Sequence, residues 1–283
     1  MANQVWVGGV IGQWSDGNPA TTHTIQHCSN SGKISTDDTD CNDVVAKGTD
    51  ISYFGGIVGG APSGHKNRVY TYCKNTGDIV IYDKARSRIG GIAATCTAPI
   101  SHCEVKADIT HKRKSNEGGS TSLSQVGGLV GYAGSDGADA TYESLLYAGT
   151  MDVLVITDGM NGYACGIIGV SDRSKTITFS HCYVGGSIKG RNASVSGGTP
   201  SAPRLFSCNT DTINDANKIY QFSGCGVCTG TFLKASAEYT FTSADQITPN
   251  NHCFSKFANL HSDGLKPAVM SQADFDAVDV LQE

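Results

Sequence analysis

One short string recurs five times along this chain: an apolar residue, two small residues that are nearly always glycines, then a short apolar run. It reads WVGGVIG at 6–12, FGGIVGG at 54–60, IGGIAA at 89–94, VGGLVGY at 126–132 and ACGIIGV at 164–170. A second element follows each copy: IQHCSNSGKI at 25–34, YTYCKNTGDI at 70–79, ISHCEVKADI at 100–109, YESLLYAGTM at 142–151 and FSHCYVGGSI at 179–188. The pairs begin at positions 8, 55, 90, 127 and 165, so the intervals are 47, 35, 37 and 38 residues. A constant motif at variable spacing means fixed strands joined by variable loops. Units too short to bury a face alone are stable only when neighbours stack. The expected fold is therefore all-β, a right-handed parallel β-helix or solenoid of imperfect repeats, with rungs about 4.8 Å apart.

Composition agrees. Glycine supplies 35 of 283 residues and charged residues only 17%, a balance suited to tightly turning β-structure. The strings GGIVG, TYCKN and DIVIY are short, rich in β-formers and bounded by Gly, Asn and Asp, the signature of strands between turns. Glycine is expected at the corners of each coil, where it supplies positive φ without steric cost, and Asn30 and Asn75 precede Gly32 and Gly77 in similar turns. A net charge of -5 gives no basic footprint for nucleic acid. No apolar run is long enough for a membrane span, and the first residues lack a secretory pattern. The repeat begins almost at once, so Met1 is expected to stand inside a longer precursor whose signal or anchor lies elsewhere.

At period two, ISHCEV places Ile100, His102 and Glu104 on one face and Ser101, Cys103 and Val105 on the other. Cys28, Cys73, Cys103 and Cys182 share one register and are expected to form an inward ladder of small hydrophobes. Rung-to-rung disulfides are the alternative, although the in-register Cβ separation is slightly long for a bridge. His27, Tyr72, His102 and His181 precede these cysteines and belong to the opposite face. With Tyr72 between them, His27 and His102 stand about 9.6 Å apart, too far to share one metal ion.

VGGLVGY, FGGIVGG, CSNSGKI and CKNTGDI resemble the GLUG-type repeats of large surface proteins and adhesins, particularly those of gut Bacteroidetes. The resemblance covers about residues 6–190. It implies a secreted or surface-attached β-helical stalk without known catalysis. The fourth copy departs from it with Leu145 in place of cysteine, and the fifth with Cys165 in place of glycine. From 191 the repeat is degenerate, so the expected organisation is a repeat solenoid over 1–260 and a cap over 261–283. In that cap Ser271 is the N-cap of a short helix, Asp274 stands at N3, and Phe275, Val278 and Leu281 lie on one side. The helix is expected to cover the open end of the solenoid.

Five further motifs carry weaker signals. Asp37, Asp38, Asp40 and Asp43 are oxygen donors of the kind calcium prefers, but they lack EF-hand spacing and read first as a solvated acidic loop. Cys225 and Cys228 form CGVC, which without a second CxxC or a thioredoxin-like context reads as a structural bridge or free thiols. HKRK at 111–114 reads as a solvated turn. Asn192-Ala193-Ser194 and Asp211-Thr212-Ile213 match short glycosylation motifs that arise often by chance.

No cofactor and no catalytic residue is expected. The reading is a non-catalytic surface or extracellular module, structural or adhesive, whose loops meet a host or microbial surface glycan or protein, or sister subunits of a surface assembly. The alternative is a polysaccharide-degrading β-helix enzyme, a lyase or glycosidase. That would require carboxylates converging in a groove, whereas the aspartates here are scattered.

Overall fold

The computed structural model describes residues 4–14, 21–36, 51–60, 68–83, 86–113, 124–134, 139–155, 162–171, 176–192, 203–209, 219–234, 238–248, 252–253, 259–260 and 266–282. The chain is an all-β parallel solenoid with one short helix near its end. Successive coils stack into three parallel sheets. The first holds Trp6–Gly8, Ile51–Gly55, Arg86–Gly90, Ser124–Gly127 and Gly162–Cys165 in that order. Its register aligns the repeated string: Gly8, Gly55, Gly90, Gly127 and Cys165 stand one above another. The second sheet holds Ala93–Cys96, Val130–Ala133, Ile168–Ser171 and Ser207–Asn209. The third carries the second repeat element and runs on beyond residue 190. There Ile219–Ser223, Gly226–Cys228 and Phe232–Lys234 pair in parallel with Ile177–Asn192, and Asn259–Leu260 and Ala268–Met270 add a further rung. Glu238–Thr240 pairs antiparallel with Phe232–Lys234.

The glycine pairs do a different job from the one their composition suggests. None of them has positive φ. An added Cβ at Gly55, Gly90 or Gly127 would lie 1.8, 2.1 or 1.9 Å from the carbonyl oxygen three residues on, so the chain folds back on itself at this point. At the second glycine the obstacle comes from two sides. Cβ atoms on Gly56, Gly91 and Gly128 would meet the carbonyl of the same position in the next coil at 1.9, 2.2 and 2.0 Å. They would also meet Asn75, Val105 and Tyr147 from the opposite wall at 2.6, 2.6 and 2.5 Å. The local fold-back of the chain requires the first glycine of each pair, and the close approach of two walls the second; neither uses positive φ.

The corner within the third sheet is instead made by His27, Tyr72, His102, Ser144 and His181, with φ between 49° and 53°, and by Gly224 at 62°. Left-handed backbone costs roughly 1–2 kcal/mol at a non-glycine residue, so five such residues at one register mark a constraint of the coil. The corner also resets the side-chain phase. Strict alternation would send Ile100 outward with His102, yet Ile100, Cys103 and Val105 are all fully buried. Ile25, Tyr70, Ile100, Tyr142, Phe179 and Phe222 form one core column as a result, with the rings of Tyr142 and Phe222 each 5.7 Å from that of Phe179.

Ser271 caps the helix Gln272–Asp276, its hydroxyl accepting from the Asp274 amide at 3.1 Å. Phe275, Val278 and Leu281 pack together as their spacing implies. Their site differs from the expected end cap: the segment lies along the side of the solenoid, against outward-facing Leu146, Tyr183 and Cys228. Leu146 and the glycine at 185, whose added Cβ would sit 2.7 Å from Phe275, leave an apolar seat there. Truncating Phe275 to alanine is expected to cost about 3 kcal/mol and to raise amide exchange across 268–281 while the central coils keep their protection.

Candidate functional site

The cysteine ladder is present and longer than the sequence implied. Cys73, Cys103 and Cys182 are fully buried, Cys28 is partly so, and Cys225 stands in register above Cys182. Each thiol donates to the carbonyl two residues back, across the left-handed corner: Cys28 to Gln26, Cys73 to Thr71, Cys103 to Ser101, Cys182 to Ser180 and Cys225 to Ser223, at 3.1–3.6 Å. The thiol is thus a small hydrophobe that also satisfies a carbonyl at the bend, which Leu145 cannot do. The CGVC spacing brings no pair together. Cys225 belongs to this ladder, while Cys228 faces the C-terminal segment and donates to Gln272 Oε1 at 3.1 Å. All of these thiols are free.

Outside the bend, the corner side chains form a stripe. The ring of Tyr72 stacks between those of His27 and His102, at 5.1 and 4.7 Å. Because the rings cover one another's faces, the column offers a ligand its edges, together with the outer face of exposed His27. On one flank lie Gln26, Thr71, Ser101, Glu143 and Ser180 in successive rungs, with the Thr71 and Ser101 hydroxyls 3.2 Å apart. On the other flank lie Ser29, Lys74 and Glu104. The Glu104 carboxylate is only 5% exposed and is held between Lys74 at 2.9 Å and Lys106 at 3.1 Å. The sequence placed the histidine column outside; the left-handed backbone that aims it was signalled only by the recurrence of histidine, a residue type enriched at positive φ.

A second polar cluster lies within the coil. Of HKRK, the described residues His111–Arg113 are not a solvated turn, and Lys114 lies outside the described residues: Ile109–Arg113 is a strand, and His111 and Arg113 are buried beside Asp83. His111 Nε2 lies 2.9 Å from Ser124 Oγ, and the Ser87 hydroxyl donates to Asp83 Oδ2. Burial pushes the Asp83 carboxyl up to about 7, against the Ser87 hydrogen bond and the charge of Arg113. Burial and then Arg113 pull His111 down to about 3. Although a serine beside a histidine has the elements of a nucleophile and its base, Ser124 and His111 are both fully enclosed, and Asp83 bonds to Ser87. No substrate reaches Ser124 in this arrangement.

A pocket of about 410 Å³ lies where the helix meets the turns, lined by Lys106, Asp108, Thr150, Gln272, Phe275 and Asp276 among others. Its polar groups are engaged already: Asp108 accepts from the Thr150 amide at 2.7 Å, and Gln272 donates to Asp276 at 2.8 Å. Among the described residues there is no group of three potential metal ligands and no helix long and apolar enough to cross a membrane. Asp37, Asp38, Asp40 and Asp43, most of the sequon at 192–194 and the motif at 211–213 lie outside the described residues, as do the variable stretches between strands that were expected to carry binding. Compared with known protein families, curated proteins and solved structures, the chain matches none.

Proposed function

We propose that this chain is a non-catalytic surface or extracellular module, structural and adhesive, that binds a glycan along the outer stripe of the left-handed corner. The observation that carries the reading is the ordered ring column His27–Tyr72–His102, flanked in every rung by hydroxyl, amide or charged groups. A hydroxyl-rich polymer meets hydrogen-bonding groups there at the regular spacing of the rungs. The rigid solenoid supplies the preorganisation that weak individual contacts need. The resemblance of the repeats to GLUG-type surface proteins supports the same reading and the same location.

The test is a glycan array followed by titration calorimetry of the strongest ligand. Tyr72→Asn keeps a residue type that tolerates positive φ while removing the middle ring. It is expected to weaken binding at least 10-fold, with an unchanged circular dichroism spectrum. Unchanged affinity in the variant, or no glycan bound by the unaltered chain, would remove the proposal. So would cleavage of a bound polysaccharide, which would point to an enzyme.

A further inference from the structure

We infer that Cys165 and Cys208 are a cross-linking site, closing a disulfide that ties the fifth coil to the next one. Three observations converge on the pair. First, Cys165 occupies the register of Gly8, Gly55, Gly90 and Gly127, the position where the chain folds back so tightly that a Cβ on Gly127 would lie 1.9 Å from the Val130 carbonyl oxygen. Four coils exclude a side chain there, and the fifth carries one with a sulfur. Second, the regular pairing of rungs is interrupted beside it: the register of Ile168–Ser171 against Ser207–Asn209 shifts between Ile168 and Ser171. Cys208 lies in that interruption. Third, the two Sγ atoms are 2.9 Å apart.

The surroundings favour a bridge over two separate thiols. Cys165 and Cys208 are 0% and 2% exposed and are enclosed by Tyr163, Val170 and the partly buried Tyr132. Ladder thiols also meet thiols of neighbouring rungs, Cys73 with Cys28 and Cys103 and Cys182 with Cys225, but each has a carbonyl across the corner at 3.1–3.6 Å. Cys165 and Cys208 close to 2.9 Å, and the Cys165 sulfur also lies 3.4 Å from the Gly169 carbonyl oxygen. A disulfide has no S–H to satisfy, so it suits an apolar enclosure better than two weak donors do.

Oxidation proceeds by thiol–disulfide exchange with a small-molecule disulfide such as oxidised glutathione. The Cys208 thiolate attacks one sulfur of the oxidant, forming a mixed disulfide and expelling one glutathione thiolate. The Cys165 thiolate then attacks Cys208 Sγ, forming the Cys165–Cys208 bond and expelling the second glutathione. The two cysteines lose two electrons and two protons; glutathione gains both as two thiols. Burial holds the Cys165 thiol well above its ordinary range, so exchange in the folded chain is slow and long equilibration is required.

The full chain is equilibrated at pH 8.5 with oxidised and reduced glutathione, denatured in excess alkylating reagent, digested and mapped by mass spectrometry. The expected result is a linked peptide pair containing Cys165 and Cys208, with Cys28, Cys73, Cys103, Cys182 and Cys225 alkylated. The oxidised chain should melt roughly 10 °C above its reduced form, because the bond closes a long loop. Cys165→Gly restores the residue of the other four coils and should abolish both the linked pair and the shift. The inference is overturned if Cys165 and Cys208 are both alkylated after equilibration, if either is bridged to another cysteine, or if Cys165→Gly keeps the full shift.

Discussion

Alanine at Gly128 is expected to cost at least about 3 kcal/mol in urea unfolding followed by circular dichroism, whereas alanine at Gly134 should change stability by less than about 1 kcal/mol. The two positions lie six residues apart in one strand-and-turn unit and neither has positive φ. The difference is therefore one of space alone. At Gly128 the new methyl would stand 2.0 Å from the carbonyl oxygen of Gly166 and 2.5 Å from Cγ of Tyr147. The first contact is backbone of the next coil and the second a fully buried ring, so neither can yield without separating rungs or walls. At Gly134 the nearest atom would be 3.4 Å away, an ordinary contact. Equal costs at the two sites would show that the walls are not as close as the repeated second glycine implies.

The same glycines show what a sequence of this kind discloses and what it withholds. Stacking forces equivalent residues into register, so repetition alone revealed the coils, their order and the inward cysteines. The reason for the second glycine of each pair was hidden, because its obstacle comes from residues remote in sequence: Asn75 for Gly56, Tyr147 for Gly128. Period-two reasoning put Ile100 on the face of His102 because it assumes uniform extended backbone. One left-handed residue breaks that assumption; histidine, which recurs at 27, 102 and 181, is among the types enriched in left-handed backbone and was the available signal, while Tyr72 and Ser144 gave none. The CGVC spacing suggested a unit, but Cys225 completes a ladder whose other members are tens of residues away. Past residue 191 the stacking persists through Ile219–Ser223 and Gly226–Cys228 without a glycine pair to announce it. The helix was legible through its own cap and apolar side; its seat on Gly185 and Leu146 was not, since that depends on which outward faces the coils leave apolar.

Buried charge was misread for a related reason, and its consequence is measurable. Asp83 and His111 should impose opposite pH dependences on stability, each on the order of 4 kcal/mol. For Asp83, with a folded pKa raised from 3.8 to about 7, the folded state holds a proton that the unfolded state has released. Its contribution is full below about pH 4 and is lost as pH rises toward 7. For His111, lowered from 6.5 to about 3, the unfolded state holds the proton instead, so stability grows as pH rises from about 3 to 6.5. Between pH 4 and 6.5 the two slopes oppose each other in the unaltered chain, and Arg113 faces both groups. Asp83→Asn should uncover the histidine slope, making the chain more stable at pH 6.5 than at pH 4 by more than the unaltered chain is. His111→Gln should uncover the aspartate slope and reverse the sign of that difference. Because each variant is compared with itself across pH, a uniform loss of stability from repacking does not enter, and titration of the remaining groups is common to all three chains. Parallel pH profiles for the three, measured by urea unfolding from pH 4 to 7, would mean that these side chains are hydrated rather than enclosed by the solenoid.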